Sequence, residues 1–267
     1  MSVIADIEDA LVTQWSHFGR WPKGELHEAD GLVWFETPIK HLPYNGVVRT
    51  RLDESAAPDR VIAAVMERFR ARGADCFWAV HPSATPSDLA RRLTMHSLRP
   101  VEQMTCMSLE LADWETPPLP GGVTFEEVID DAGLERYTNL TLRYWEIPDA
   151  ERELVAEVHG YWRPGRTPGH RYLALLDGEA IGKGYVSLAG PPGVASIYGM
   201  SVLPQARGRG VAGGLTTTLL QRAKGHGCSR AVLHATDMAV GVYLRAGFLE
   251  RCTIEVFATA SLWEDGH

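Results

Sequence analysis

The chain has 267 residues, of which 45% are hydrophobic and 22% charged, and its formal net charge is −8. This length predicts one large domain or two small ones, and the apolar content is enough for a sizeable core. The acidic balance argues against a nucleic-acid partner, because phosphate backbones attract basic surfaces. A cationic small molecule suits an acidic protein better.

The four cysteines, Cys76, Cys106, Cys228 and Cys252, form neither a C-x-x-C pair nor a zinc-ligand spacing. We therefore predict reduced thiols and no metal site. The stretch MSVIADIEDALVTQW is acidic and lacks the pattern of a signal peptide. The apolar runs are too short for a membrane span, so we expect a cytoplasmic protein with no membrane partner.

A proline- and glycine-rich stretch, WETPPLPGG at 114–122, predicts a linker, since proline disrupts both helices and central strands. It divides the chain into domains 1–113 and 123–267. In the second domain we predict a strand at 123–129, then one or two helices within 131–162. Three β-rich runs follow: RYLALLDG, EAIGKGYVSLAG and VASIYGMSVLP. A helix from 211, a strand at 230–236, a short helix and a last strand complete a mixed α/β order.

The first domain repeats part of this order. A helix near RVIAAVMERFRARG, a strand, a helix and a strand correspond to the elements of 208–257. In the first helix Val61, Val65 and Phe69 have the same spacing as the apolar residues Val211, Leu215 and Leu219 of the second. The stretch DESAAPD at 53–59 stands where the second domain has QARGRG, and its acids would repel an anion. We therefore predict a duplicated fold in which only the second copy keeps an anion site.

The stretch PQARGRGVAGG at 204–214 predicts that anion site. A helix N-terminus exposes backbone N–H groups and partial positive charge, and glycines allow a phosphate to approach the backbone. Gly208, Gly210 and Gly213 fit the dinucleotide pattern G-x-G-x-x-G, with Asp237 as a ribose-binding acid. That pattern normally opens a domain with several further β-α units, for which this chain has no room.

The alternative pattern is Q-x-x-G-x-G, from Gln205 to Gly210, placed after a strand and before a helix that carries Tyr243. Residues 123–258 resemble the GNAT N-acetyltransferase superfamily, most specifically in SVLPQARGRGVAGGL and AVGVYLRAGF. The resemblance implies a mixed α/β sheet in two GNAT-like domains in tandem, of which the N-terminal one is degenerate and lacks the cofactor motif.

The resemblance also implies an acetyl-CoA-dependent N-acetyltransferase. Backbone amides from Gln205 to Ala212 would hold the pyrophosphate, and the preceding strand would bind the pantetheine arm. Tyr243 takes the place of the family's general acid, and Thr236 stands where the family often has Asn. The implied cofactor-binding residues are Met200, Ser201, Val202, Gln205, Ala206, Arg207, Gly208, Arg209, Gly210, Val211, Ala212 and Thr236.

The sequence leaves the general base open between Tyr198, His234, Glu146 and a water molecule. By resemblance the aromatic segment 137–162 would bind the acceptor, a small-molecule amine. Two other functions remain as alternatives: a non-catalytic acyl-CoA-binding sensor or scaffold, and an NAD(P)-binding oxidoreductase. We expect a monomer, because the duplication would provide within one chain the pairing of a dimer; a dimer is the alternative.

Overall fold

The computed structural model describes residues 2–163 and 165–259, and in it the chain forms two compact units. We call residues 11–104 and those from 252 onward the N-terminal unit, and residues up to 10 and 105–251 the C-terminal unit. The helix α1 (Val3–Gly19) contributes residues to both. None of the described helices is both long and apolar enough to cross a membrane.

The N-terminal unit is built on a sheet with the strand order β1-β2-β3-β4-β11. Its first three strands are antiparallel, β4 pairs with β3 in parallel, and β11 pairs with β4 in antiparallel fashion. Its strands are β1 (Glu25–Ala29), β2 (Leu32–Glu36), β3 (Gly46–Thr50), β4 (Phe77–Val80) and most of β11 (Leu249–Ala258); its helices are α2 (Pro58–Arg72) and α3 (Leu89–Met95).

The C-terminal unit has the strand order β5-β10-β9-β8-β7-β6, and among its described strands only β9 and β10 run parallel. Its strands are β5 (Arg99–Glu110, which begins in the N-terminal unit), β6 (Val123–Glu127), β7 (Gly169–Leu176), β8 (Glu179–Ser187), β9 (Val194–Val202) and β10 (Arg230–Ala235). Its helices are α4 (Asp131–Tyr144), α5 (Arg152–Tyr161), α6 (Val211–Gly225) and α7 (Asp237–Arg245).

The predicted repeat is present in the element order. The series α2-β4-α3-β5 matches α6-β10-α7-β11, and three antiparallel strands precede each series. In both copies the third of these strands pairs in parallel with the strand after the helix. Phe69 on α2 and Leu219 on α6 are buried, as are Leu98 and Phe248 at matching positions. The mixed α/β fold and its two GNAT-like copies are therefore as predicted.

The compact units cut across the sequence domains 1–113 and 123–267, which stay a prediction. The compact units and the sequence domains differ because each sequence domain ends in a strand that pairs with a strand of the other. Residues 105–110 of β5 pair with β10 in the C-terminal unit, and Phe257 on β11 pairs with Trp78 on β4 in the N-terminal unit. Strand pairing joins residues far apart in the sequence, so a linker's composition does not reveal it.

The sheet of the C-terminal unit is covered by helices on both faces. On one face, which we call the α6 face, Tyr172 and Ala174 of β7 pack in the same cluster as Leu215 and Leu219. On the other, the α4 face, Leu173 and Leu175 of β7 pack with α4. This alternation along β7 follows the two-residue period of a strand, whose side chains point to opposite faces in turn.

Phe69→Ala is expected to lower the free energy of unfolding by about 3–5 kcal/mol, because its buried ring fills the N-terminal core and the cavity would not close. The neighbouring Arg70→Ala is the control: its guanidinium pairs with Glu67 on the surface, so it should change stability by about 0.5 kcal/mol or less. Urea denaturation followed by circular dichroism measures both. Equal effects of the two substitutions would contradict this packing.

Candidate active site

The segment that leads from β9 into α6 carries unpaired backbone donors. A 3-10 turn over Pro204–Ala206 follows β9, and α6 begins after Gly210. The first bond of the helix runs from the Gly214 N–H to the Gly210 carbonyl. The N–H groups of residues 210–213 therefore have no partner in the helix, and Gly210 has no side chain to cap them. Such N–H groups, at the positive end of a helix dipole, can bind an anion.

The glycines in this segment do different work. Gly208 and Gly210 have φ angles of +77° and +76°, a conformation that residues with side chains rarely adopt. A Cβ on Gly210 would also lie 3.2 Å from Pro120 Cβ. Gly214, by contrast, lets α6 pack closely, because a Cβ there would lie 2.2 Å from the Phe125 ring. Gly208 and Gly210 therefore allow the turn, and Gly214 allows the close packing of α6 against Phe125.

Beside this turn, the two parallel strands part. Pairing between β9 and β10 covers Val194–Ile197 and Arg230–Leu233 and ends there, although β9 continues to Val202. Beyond Ile197, β9 pairs with β8 on its other side, and β10 stays paired with β5. The edge of β9 that faces β10 thus offers backbone N–H and C=O groups to a ligand entering between the strands.

The predicted cofactor-binding residues follow one another around this opening. Met200 packs on the α6 face with the apolar cluster that contains Val211 and Ala206. Because those two side chains face the core, only their backbone is available to a ligand. Arg207, Gly208, Arg209 and Gly210 are exposed, together with Gln205; Ser201 is buried and Val202 half-buried. Thr236 begins α7 without using its hydroxyl as a cap.

Tyr243 lies on α7 in that same cluster, with its ring edge against Phe248. Burial, with a smaller contribution from the phenol of Tyr144, raises the pKa of Tyr243 well above its usual value. The phenol therefore keeps its proton at neutral pH, as a proton donor must.

On the α4 face, a bulge in β9 lies against a buried lysine. Lys183 pairs with Ser201 and Tyr185 with Tyr198, so Gly184 alone faces both Gly199 and Met200. Gly199 has φ +60°, and a Cβ there would be 3.1 Å from the Tyr137 hydroxyl and 3.6 Å from Lys183 Nζ. Lys183 Nζ donates a hydrogen bond to the Gly199 carbonyl at 3.0 Å.

The surroundings of Lys183 disfavour its charge. The side chain is 3% exposed, and Nζ lies 4.6 Å from the centroid of the Tyr137 ring. Burial, and then the charge of Arg171, lower the pKa of Lys183 to about 7. Arg171 itself is held by the Trp162 carbonyl and lies over the Tyr185 ring. No carboxylate among the described residues counters this shift.

Residues 134–248 match the acetyltransferase (GNAT) family. This match and the relatives that follow support membership of the GNAT superfamily. It is 28% identical over 236 residues to a mycothiol acetyltransferase of Streptomyces avermitilis, covering 85% of this chain and 73% of that protein. To a mycothiol acetyltransferase of Streptomyces griseus it is 28% identical over 203 residues, covering 70% of this chain and 61% of that protein.

Solved structures share the fold over the length of the chain. A GCN5-related N-acetyltransferase from Kribbella flavida aligns with a TM-score of 0.73 at 21% identity, over 97% of this chain and 96% of that one. A tandem GNAT protein from the clavulanic acid biosynthesis pathway aligns with a TM-score of 0.62 at 16% identity, over 98% and 96%. These likenesses support the tandem GNAT fold.

The predicted base candidates differ in their surroundings. Burial raises the pKa of Tyr198 far above its usual value, so its phenol stays protonated and cannot accept a proton at neutral pH. His234 stacks on the Tyr198 ring, with centroids 5.9 Å apart. Glu146 is exposed after the end of α4, with φ +49°. The assignment of a base stays open among His234, Glu146 and water.

Sequence analysis missed Lys183 because its face depends on a register shift. Ala180 pairs with Leu175 and Gly182 with Ala174, so Ile181 is an extra residue in β8. Such a bulge reverses the alternation of faces beyond it. Strict alternation from Ile181 would place Lys183 on the α6 face. The one signal available was a lysine between two glycines in an otherwise apolar strand.

The corresponding segment of the degenerate GNAT copy is closed by its own side chains. Pro58 at the start of α2 has no N–H to offer. Asp53 accepts from the Ala56 N–H, while Arg92 pairs with Glu54 and Asp59 near the start of α2. Asp88 makes no capping bond at the start of α3 and pairs with Arg92 and Arg91 instead. Acidic side chains and the arginine that pairs with them thus surround the N-terminus of α2, whereas the N-terminus of α6 is open.

Lys183→Met is expected to stabilise this protein most at low pH. Lysine in an unfolded chain titrates at about 10.4, and Lys183 in the fold at about 7. Between these values the unfolded state binds more protons, so stability rises with pH. Replacing the lysine should remove that rise. The melting temperature of Lys183→Met should therefore exceed that of the native chain most at about pH 6, and the difference should decrease as the pH is raised to about 10.

Thermal denaturation across this pH range measures the effect. Lys40→Met is the control, because Lys40 is exposed in the N-terminal unit and the pH dependence should stay that of the native chain. A gain for Lys183→Met that does not vary with pH would contradict a charge penalty at this position.

Proposed function

We propose that this protein is an acetyl-CoA-dependent N-acetyltransferase that acts on the primary amine of a small acceptor. The observation that carries this proposal is the parting of β9 and β10 directly beside the open N-terminus of α6. An extended ligand arm fits along a free strand edge, and a diphosphate fits a helix N-terminus with left-handed glycines before it. Coenzyme A has both parts in that order.

Each part of the ligand has a matching group. The N–H groups of residues 210–213 would bind the diphosphate, with the exposed Arg207 and Arg209 adding positive charge. The free edge of β9 at Met200 and Val202 would hydrogen-bond the pantetheine arm. Bound acetyl-CoA would supply an activated acetyl group as a thioester. The degenerate copy has its corresponding helix end closed, which supports a single coenzyme site in each chain.

Three groups would assist attack of the amine on the thioester. The backbone near Met200, displaced by the bulge at Gly199, would donate to the carbonyl oxygen as its charge grows. Tyr243 would give its proton to the leaving thiolate. The acceptor would be bound by α4, which covers the α4 face where that bulge lies, and by α5, which packs against α4. The acetyltransferase names of the relatives support transfer of an acetyl group.

The arrangement of strands argues against an NAD(P)-binding oxidoreductase. A dinucleotide fold needs several parallel strands in one sheet, whereas β9 and β10 are the one parallel pair among the described strands of the C-terminal unit. Asp237, the residue proposed to bind a ribose, is the first residue of α7 and exposed.

Gly210→Val should abolish the binding of acetyl-CoA. The substitution strains a left-handed residue and places a Cβ against Pro120, so the turn must move. The native chain should gain about 2.7 kcal/mol of stability at a ligand concentration of about 100 times Kd, seen as a rise in Tm. Calorimetric titration is expected to give one site per chain.

The matched control is Gly227→Val, at the other end of the same helix. Gly227 has φ +78°, so the substitution carries similar backbone strain far from the turn. It should lower the Tm of the free protein and leave the rise with acetyl-CoA intact. A native chain whose Tm responds to NAD and not to acetyl-CoA would overturn the proposed function.

Tyr243→Phe should slow acetyl transfer by about 10²–10⁴-fold, the usual contribution of a general acid. It should leave the Tm rise with acetyl-CoA unchanged, because the phenol acts on the leaving group and not in binding. The assay is release of free thiol from acetyl-CoA across a library of small amines. No release with any amine, despite binding, would favour a non-catalytic acyl-CoA sensor.

A further inference from the structure

A buried amine on the α4 face has no part in the reaction described so far. Lys183 is the one buried lysine of the four in the chain; Lys23, Lys40 and Lys224 are exposed. Its Nζ reaches the carbonyl of Gly199 at 3.0 Å, in the bulge of β9. The bulge begins two residues after the pairing of β9 with β10 has ended. Lys183, from β8 on the other side of β9, thus reaches the backbone of β9 next to the stretch that β10 leaves unpaired.

We propose that Lys183 is itself a modification site, which becomes acetylated by acetyl-CoA bound to the same chain when no acceptor amine is present. This inference rests on the proposed function. The inference follows from position. The backbone near Met200, proposed to bind the thioester carbonyl, is next in the chain to the Gly199 carbonyl that accepts a hydrogen bond from Lys183 Nζ. A small acceptor would have to bring its amine to the same place.

The chemistry requires a neutral amine, and the surroundings of Lys183 provide one. The titratable groups nearest to Lys183 are Tyr137 from α4, Arg171 from β7 and Tyr185 on its own strand. Tyr198 of β9 lies farther along the same face, with His234 of β10 stacked on its ring. His159 of α5 contacts the Tyr137 ring. None of these is a carboxylate, and burial with Arg171 lowers the pKa of Lys183 to about 7.

The fraction of neutral amine separates Lys183 from a lysine of ordinary pKa. With a pKa of about 7, a large part of Lys183 is neutral at pH 7, whereas a lysine with the ordinary pKa of about 10.4 is neutral in less than about 0.1% of molecules. Only the neutral form has the lone pair that attacks a thioester.

The step balances without a further reactant. The lone pair of Nζ forms a bond to the acetyl carbonyl carbon, the carbon–sulfur bond breaks, and its electrons leave with the sulfur. The nitrogen gives one proton to water, the thiolate takes one from Tyr243, and a proton from water restores the phenol, so the number of protons is unchanged. Lysine and acetyl-CoA thus become acetyl-lysine and free coenzyme A. The product is an uncharged amide, so the modification persists and removes the buried charge.

The experiment incubates the purified full chain with ¹³C-acetyl-CoA at pH 7.5 in the absence of any amine. Hydroxylamine treatment then removes acetyl groups from the cysteine thiols, and peptide mass spectrometry measures each lysine. Label on Lys183 should exceed that on each of the three exposed lysines at least about tenfold, following its larger neutral fraction. Lys183→Arg should carry no label at that position and should keep the Tm rise with acetyl-CoA.

A second measurement does not depend on turnover. In protein with ¹³Cε-labelled lysine, the Lys183 signal, assigned by its loss in Lys183→Arg, should titrate near pH 7. After incubation with acetyl-CoA that signal should stop titrating. Gly210→Val should lose the acetyl label on Lys183, and the control Gly227→Val should keep it.

The outcomes separate this inference from the proposed function. A Tm rise with acetyl-CoA but no excess of label on Lys183 would overturn the inference and leave the acetyltransferase in place. A Lys183 signal that titrates at the ordinary lysine value of about 10.4 would overturn it as well. Absence of both the Tm rise and the label would overturn the two together.

Discussion

The parting of β9 from β10 is the constraint on which the site depends. Parallel strands that stay paired have no free backbone to offer, whereas these two are joined over only four residues, Val194–Ile197 on β9. The strand then leads, through one 3-10 turn, into a helix whose first N–H groups have no partner. A free strand edge and an open helix end are therefore consecutive in the chain, and one elongated anionic ligand can use both.

Two bulges decide what lies around this opening. The extra residue in β8 at Ile181 turns Lys183 to the α4 face, and the bulge in β9 brings the Gly199 carbonyl to meet it. Without the bulge in β8 the amine would point to the α6 face, and without the bulge in β9 it would lack its hydrogen-bond acceptor. The buried cation is costly on its own. Burial, and then the charge of Arg171, lower the pKa of Lys183, and no carboxylate among the described residues counters that shift.

Much of the fold could be predicted from local pattern. Helix α6 follows from the spacing of Val211, Leu215 and Leu219, and the turn before it from glycines that the backbone needs in left-handed conformation. The repeated order of elements was likewise visible. The exchange of terminal strands and the face of Lys183 were not, because both depend on hydrogen-bond register between strands, which a single sequence does not carry.

The difference between the two copies has a simple physical basis. The helix α2 begins with a proline and is surrounded by acids that Arg92 pairs, so its N-terminus is occupied by the chain itself. That copy can lose its anion site without losing its place in the structure. Its strand β4 still pairs with β11 from the second half of the sequence, and β5 of the first half pairs with β10 beside the candidate site. Each half supplies a strand to the sheet of the other, so the first copy has a structural role that does not depend on an anion site.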